Sequence, residues 1–211
     1  MTTTDTYTIT KADGKPYTVR KDRNRYFYPD EWKAFYQALK KPKRPLFDFL
    51  INTGARIDEA THIREKDFDI ERATVRIWKV KVKAKKGEKT GKPRTIPLSS
   101  EFIERVKKYI KDNKNGEYLW GMSNQAPYGM LKRKLKGVVE DPYNFGLHNI
   151  RKTHGMWLKA LNIPAEEICL RLGHDFNTYL KHYGSSDVFS NQDIAKIDKM
   201  MGDLYQRRRR Y

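Results

Sequence analysis

Apolar positions recur at helical spacing along most of the chain. Trp32, Phe35, Tyr36 and Leu39 form one stripe behind Pro29, Asp30 and Glu31, which suit a helix's first turn. A second short helix over Leu46–Asn52 is expected to stop at Gly54, which can take the left-handed conformation of a helix end. That puts Arg56 in a tight bend, with Asp58 as cap of a short helix carrying Glu59, Ala60 and His62. Over Ala73–Lys83 the period changes: Val75 and Ile77 alternate, then Val80 and Val82 in shifted phase, which predicts a strand with a bulge near Trp78. Arg94–Leu98 is the returning strand, and polar Lys85–Lys92 between them reads as a long hairpin tip. The remainder reads as helical: Ser100 caps a helix with Phe102, Val106, Tyr109 and Ile110 on one face, Leu147–Leu161 is another, and Pro164 starts a third that Gly173 ends. Asn177 and Asn191 are the caps expected for two more. The fold class is thus mainly α with a small antiparallel β-sheet. Residues 1–25 lack sustained apolar periodicity and read as a flexible basic arm that orders only on DNA; 26–205 form the main domain and 206–211 a basic tail.

Charge identifies the partner class. The 211 residues carry 44 Lys and Arg against 26 Asp and Glu, a formal net charge of +18, whose self-repulsion is offset by a polyanion. Nucleic acid fits. A membrane surface fits poorly, since mean hydropathy is −0.87 and no long apolar run is present. No secretory signal follows Met1, and the single cysteine, Cys169, excludes an internal disulfide or a cysteine-based zinc site, so an intracellular, reducing setting is expected.

Four separated patches carry candidate chemistry. They are Thr53-Gly54-Ala55-Arg56-Ile57-Asp58-Glu59-Ala60, Lys89-Thr90-Gly91 eight residues ahead of Pro97, Leu147-His148-Asn149-Ile150-Arg151-Lys152-Thr153, and Leu172-Gly173-His174 with Tyr183 nine residues after His174. In this order and spacing they resemble the motifs of the tyrosine recombinase family over Tyr26 to Leu204. The resemblance implies that family's catalytic-domain fold and a site-specific DNA recombinase, or integrase, that joins Tyr183 to a 3′ phosphate and serves a mobile or viral element. It implies catalytic roles for Arg56, Lys89, His148, Arg151, His174 and Tyr183. Attack on a phosphodiester builds negative charge on nonbridging oxygens, which two guanidiniums can clamp while staying charged. His148 would take the phenol proton, Lys89 would protonate the leaving 5′ oxygen, and His174 would hold the phosphate. Glu59 is read as an orienting carboxylate, and Lys85, Lys86, Lys92, Arg94 and Lys152 as DNA contacts.

Neither metal nor nucleotide cofactor is expected, because the protein–DNA ester conserves bond energy. Gly87-Glu88-Lys89-Thr90-Gly91-Lys92 imitates a phosphate loop, but its glycines are too close and Pro93 stands where Ser or Thr is required. His154 and His182 read as ordinary histidines, Tyr179 competes with Tyr183 as the nucleophile, and other lysines compete with Lys89. A type IB topoisomerase is the alternative enzyme, though it usually has Lys or Arg where His148 stands; a non-cleaving DNA-binding relative is the other alternative. Most family members carry a further N-terminal DNA-binding domain, so the chain is either a minimal recombinase or a fragment of a longer one. By resemblance, the stripe Ile194, Ile197, Met201 and Leu204 docks on a neighbouring protomer and builds a homotetramer on double-stranded attachment sites; packing on its own domain is the other possibility.

Overall fold

A computed structural model describes residues 6–10, 16–20, 26–80, 89–113, 116–123, 125–139, 142, 145–183 and 188–204. Helices dominate, with two small antiparallel sheets. The basic N-terminal stretch, read from sequence as an arm without regular structure, contains the paired strands β1 (Thr6–Thr10) and β2 (Pro16–Arg20).

Helix α1 (Pro29–Ala38) starts where expected: Pro29 occupies the first turn, and the Glu31 carboxylate accepts the Tyr28 N–H at 2.9 Å. Helix α2 (Arg44–Thr53) is the central element, buried from Leu46 to Thr53, and ends at Gly54 with φ 63°. A Cβ at Gly54 would lie 2.6 Å from side-chain atoms of His154 and Leu172, so both backbone conformation and close packing require glycine. Helix α3 (Ile57–Thr61) follows at once. Its cap is Arg56, two residues before the Asp58 expected from sequence, because Glu59 reaches back to the Arg56 N–H at 2.9 Å.

Strands β3 (Phe68–Asp69), β4 (Thr74–Val80) and β5 (Lys89–Pro97) form the second sheet, in that order. The bulge falls where the phase change puts it, as a register shift between Ile77 and Lys79. The returning strand is longer than expected: Lys89 already pairs with Val80, so Lys89 and Lys92 belong to β5 and not to a tip. Residues 81–88, including Lys85 and Lys86, lie outside the described residues.

Helices α4 (Ser100–Lys111), α5 (Ala126–Leu135), α6 (Leu147–Ala160), α7 (Ala165–Leu172), α8 (Phe176–Tyr183) and α9 (Asn191–Met201) complete the fold. Three caps sit one or two residues earlier than read. Ser99 caps α4, freeing Ser100 to hydrogen-bond Asp203; Ser190 caps α9; and the Asp175 side chain accepts the Thr178 N–H at the start of α8. The core gathers Trp32, Phe35 and Phe145 around Phe27, whose carbonyl accepts the indole N–H of Trp157 of α6 at 3.1 Å. Among the described residues no helix is long and apolar enough to cross a membrane.

The α9 stripe, which the family resemblance assigned to a neighbouring protomer, is covered by its own domain. Ile197 is 0% and Met201 2% exposed, and Lys196 pairs with Asp30 of α1 at 2.6 Å. Apolar residues on one helix face gain as much from the nearest apolar groove as from a distant one, and α1 and α6 supply that groove here.

Candidate active site

Two helix ends converge on a third helix. The C-termini of α2 and α7, each closed by a left-handed glycine, Gly54 and Gly173, meet the first half of α6. The final carbonyls of a helix lack internal partners and concentrate negative charge. Arg151 of α6 answers both: its guanidinium donates to the Gly54 carbonyl at 2.7 Å and to the Leu172 carbonyl. It is 3% exposed. Burial, then the charges of Arg56 and Arg94, draw its pKa down to about 9, so it remains a cation at neutral pH.

Arg56 stands beside it in the bend that follows Gly54. Its Nη1 donates to Glu59 Oε1 at 3.2 Å, while its side chain stays 43% exposed. Glu59 is deeply buried and also receives two bonds from Arg94, at 3.0 and 2.6 Å. Burial pushes the Glu59 carboxyl up, but the Arg94 hydrogen bonds and charge, aided by the Arg56 N–H, outweigh it and hold the group ionised. Arg94 was grouped by sequence with the DNA contacts. The structure instead ties it inward, with Nε donating to the Arg171 carbonyl at 2.9 Å and the side chain 16% exposed.

His148 lies one turn before Arg151, with its side chain reaching solvent. Loss of hydration by its ring and the charges of Arg151, Lys152, His182 and Arg56 lower its pKa to about 4, leaving a neutral imidazole. Lys152 is half-buried beside it. His174, displayed just after Gly173, donates from Nδ1 to the Asp175 carbonyl at 3.2 Å; its Nε2 is buried without a partner among the described residues. Burial lowers its pKa too, against that hydrogen bond and with help from Arg151 and Arg56.

Tyr183, the last residue of α8, stacks on His174 with ring centroids 5.8 Å apart and planes 11° from parallel. It is 3% exposed. Its ring is seated against the α6 backbone at Gly155, where a Cβ would come 2.5 Å from Cε1 and 3.0 Å from the hydroxyl oxygen. Burial raises the phenol pKa to about 12, opposed by Arg151 and Arg56. Tyr179 is buried as well, but the charges acting on it are those of Cys169 and Glu166, with no guanidinium among them. That difference separates the two tyrosines.

The structure therefore brings together Arg56, Glu59, Arg94, His148, Arg151, His174 and Tyr183. For Lys89 it fixes only the backbone, at the start of β5. His154, read as ordinary, is a core residue donating from Nδ1 to the Ile51 carbonyl at 2.7 Å. His182, also read as ordinary, lies edge-on to Tyr183 at 6.3 Å and acts electrostatically on His148 and His174. Its position next to Tyr183 in sequence was the available signal. Among the described residues no group of three or more His, Cys, Asp or Glu side chains is placed to hold a metal. Two guanidiniums, the neutral imidazole of His148 and the His174 ring around a phenol suit a single phosphate diester.

Comparison with known proteins gives the same direction. Residues 25–188 match the model of the phage integrase family. The chain is 22% identical over 190 residues to tyrosine recombinase XerC of Staphylococcus saprophyticus, covering 85% of this chain and 53% of that protein. It is 26% identical over 139 residues to a probable site-specific recombinase in the afa region of Escherichia coli, covering 61% and 56%. The chain thus spans about half the length of the curated relatives it matches. In fold it is similar to XerA recombinase, with a TM-score of 0.62 at 17% identity over 89% of this chain and 66% of that one. It is also similar to the Tn1549 transposon integrase in complex with circular intermediate DNA, with a TM-score of 0.65 at 18% identity over 82% and 65%.

Proposed function

The chain belongs to the phage integrase family of tyrosine recombinases, and from that premise we propose that it cuts and rejoins double-stranded DNA through Tyr183. The observation that carries this reading is that the Tyr183 ring is seated at Gly155 on the helix that bears Arg151 and stacks on His174, whereas the Tyr179 ring stacks on Phe176. The Tyr183 oxygen bonds to phosphorus and the bond to the 5′ oxygen breaks, leaving a 3′ phosphotyrosyl ester. Neutral His148 accepts the phenol proton, and Lys89 supplies a proton to the departing 5′ oxygen. Arg56 and Arg151 stabilise the charge that develops on the nonbridging oxygens. His174 contributes a hydrogen bond through Nε2, which requires that nitrogen to be protonated. Burial raises the phenol pKa to about 12, so Tyr183 is neutral at pH 7 and its proton must pass to a base as the bond to phosphorus forms.

Attack by a 5′ hydroxyl of another strand reverses the step and frees Tyr183, so neither metal nor ATP is consumed. The proposed substrates are attachment sites of a mobile or viral element inside the cell, with Lys85, Lys86, Lys92 and Lys152 as further DNA contacts and a homotetramer as the working assembly. Assembly through α9 requires that helix to exchange its place on its own domain for one on a neighbour. The test is a nicked suicide duplex bearing candidate sites, scored on a denaturing gel for a protein–DNA adduct. Wild type should form the adduct with or without EDTA, and Tyr183→Phe should not. Equal adduct from both proteins would move the nucleophile elsewhere.

A further inference from the structure

Glu59 is a carboxylate almost wholly withdrawn from water, its side chain 2% exposed, and a buried charge is tolerated only when its pairing is complete. The pairing is unequal. Arg56 gives one side-chain N–H at 3.2 Å and its backbone N–H at 2.9 Å. Arg94 gives two side-chain N–H groups at 3.0 and 2.6 Å, and is itself pinned by the bond from Nε to the Arg171 carbonyl at 2.9 Å. Arg94 thus makes the two-pronged grip that carboxylates favour, and Arg56 does not.

We infer that Arg94 is a positioning residue: by satisfying the buried Glu59 carboxylate, it leaves the exposed Arg56 fork held at one point and open toward a phosphate. This rests on the recombinase reading above. Two guanidiniums against one carboxylate leave one positive charge, which adds to that of Arg151 beside it. Without Arg94, the carboxylate can recover a two-pronged partner only by turning Arg56 onto itself. That motion withdraws the fork from the reacting phosphate and cancels its charge. Arg94 also ties β5 to the C-terminus of α7, the helix end that displays His174, so the same side chain fixes the separation of two parts of the site.

The experiment compares wild type, Arg94→Lys, Arg94→Gln, Glu59→Gln and the Arg94→Gln/Glu59→Gln double variant. It measures single-turnover adduct formation on the suicide duplex, together with DNA affinity across a salt series. Lysine keeps the charge but cannot offer two parallel N–H groups. Both Arg94 variants should therefore slow adduct formation by about 10–100-fold, the range for residues that orient a reacting group, while affinity and its salt slope stay unchanged. The double variant should be no slower than the slower single one. Weakened affinity with a shallower salt slope and a preserved adduct rate would make Arg94 a DNA contact and overturn the inference, as would multiplicative losses or full activity of Arg94→Lys. If Arg94→Gln fails to fold, Arg94→Lys and Arg94→Lys/Glu59→Gln carry the same comparison. Absence of adduct from wild type would fault the recombinase reading itself, not the role of Arg94.

Discussion

Arg56 and Arg151 share a charge and a proposed task, but the fold holds them in opposite ways. Arg56 is 43% exposed on its side chain, whereas Arg151 is buried and holds two helix ends. Either alanine variant should lower adduct formation by about 10²–10³-fold. Only Arg151→Ala should also lose stability, by about 1–3 kcal/mol for each carbonyl left unpaired, as read from denaturant unfolding. Acid should destabilise the fold through His148 and His154. Burial depresses the pKa of His154, and loss of hydration with nearby positive charge depresses that of His148, so their contribution is complete above the ordinary 6.5 and is lost as pH falls toward the folded values, about 4 for His148. His154→Gln, with nothing to titrate, should show a flatter melting temperature between pH 6.5 and 4.5; an unchanged profile would exonerate His154. Arg56, His148, Arg151, His174 and Tyr183 were legible because their motifs are local spacings along the chain. The task of Arg94 was not, because it depends on Glu59, 35 residues away, and a lone arginine on a basic strand reads as a phosphate contact.

At the scale of elements, α9 settles into the domain that carries it. Met200 and Met201 of its last turn line one cavity with Trp32, Ile51 and Trp157. Ile197→Ala and Met201→Ala should each cost about 2–5 kcal/mol in unfolding free energy. The exposed Lys196–Asp30 pair, with side chains 44% and 68% accessible, should contribute little by the same measurement. Near-silent Ile197→Ala and Met201→Ala variants would place α9 off the domain in solution. Helix ends were readable where glycine enforces them, at Gly54 and Gly173. They slipped where two neighbours can both accept an N–H, as with Ser99 and Ser100. Helix α5 was read only as part of a generally helical stretch, because Gly129 and the run Lys132, Arg133, Lys134 dilute its stripe, and β3 is too short to show a period.

For the whole molecule, the mixed helical and small-sheet class was legible because the period of the apolar positions switches once, around Val75 to Val82, and then returns to helical spacing. The way α9 folds back was not, since an apolar stripe says that something covers it and not what. The +18 charge implies affinity that falls steeply with salt, by about 0.9 in the logarithm per phosphate neutralised; a flat titration would remove charge as the basis of binding. Such a chain adheres to DNA by composition alone, folded or not. The double anchorage of Arg151 adds a condition on the proposed activity. Its guanidinium reaches its place only after segments around residues 54, 151 and 172 have closed on one another, so under the proposed reading a half-made or damaged chain would hold DNA without cutting it. Completion of the fold is the safety catch.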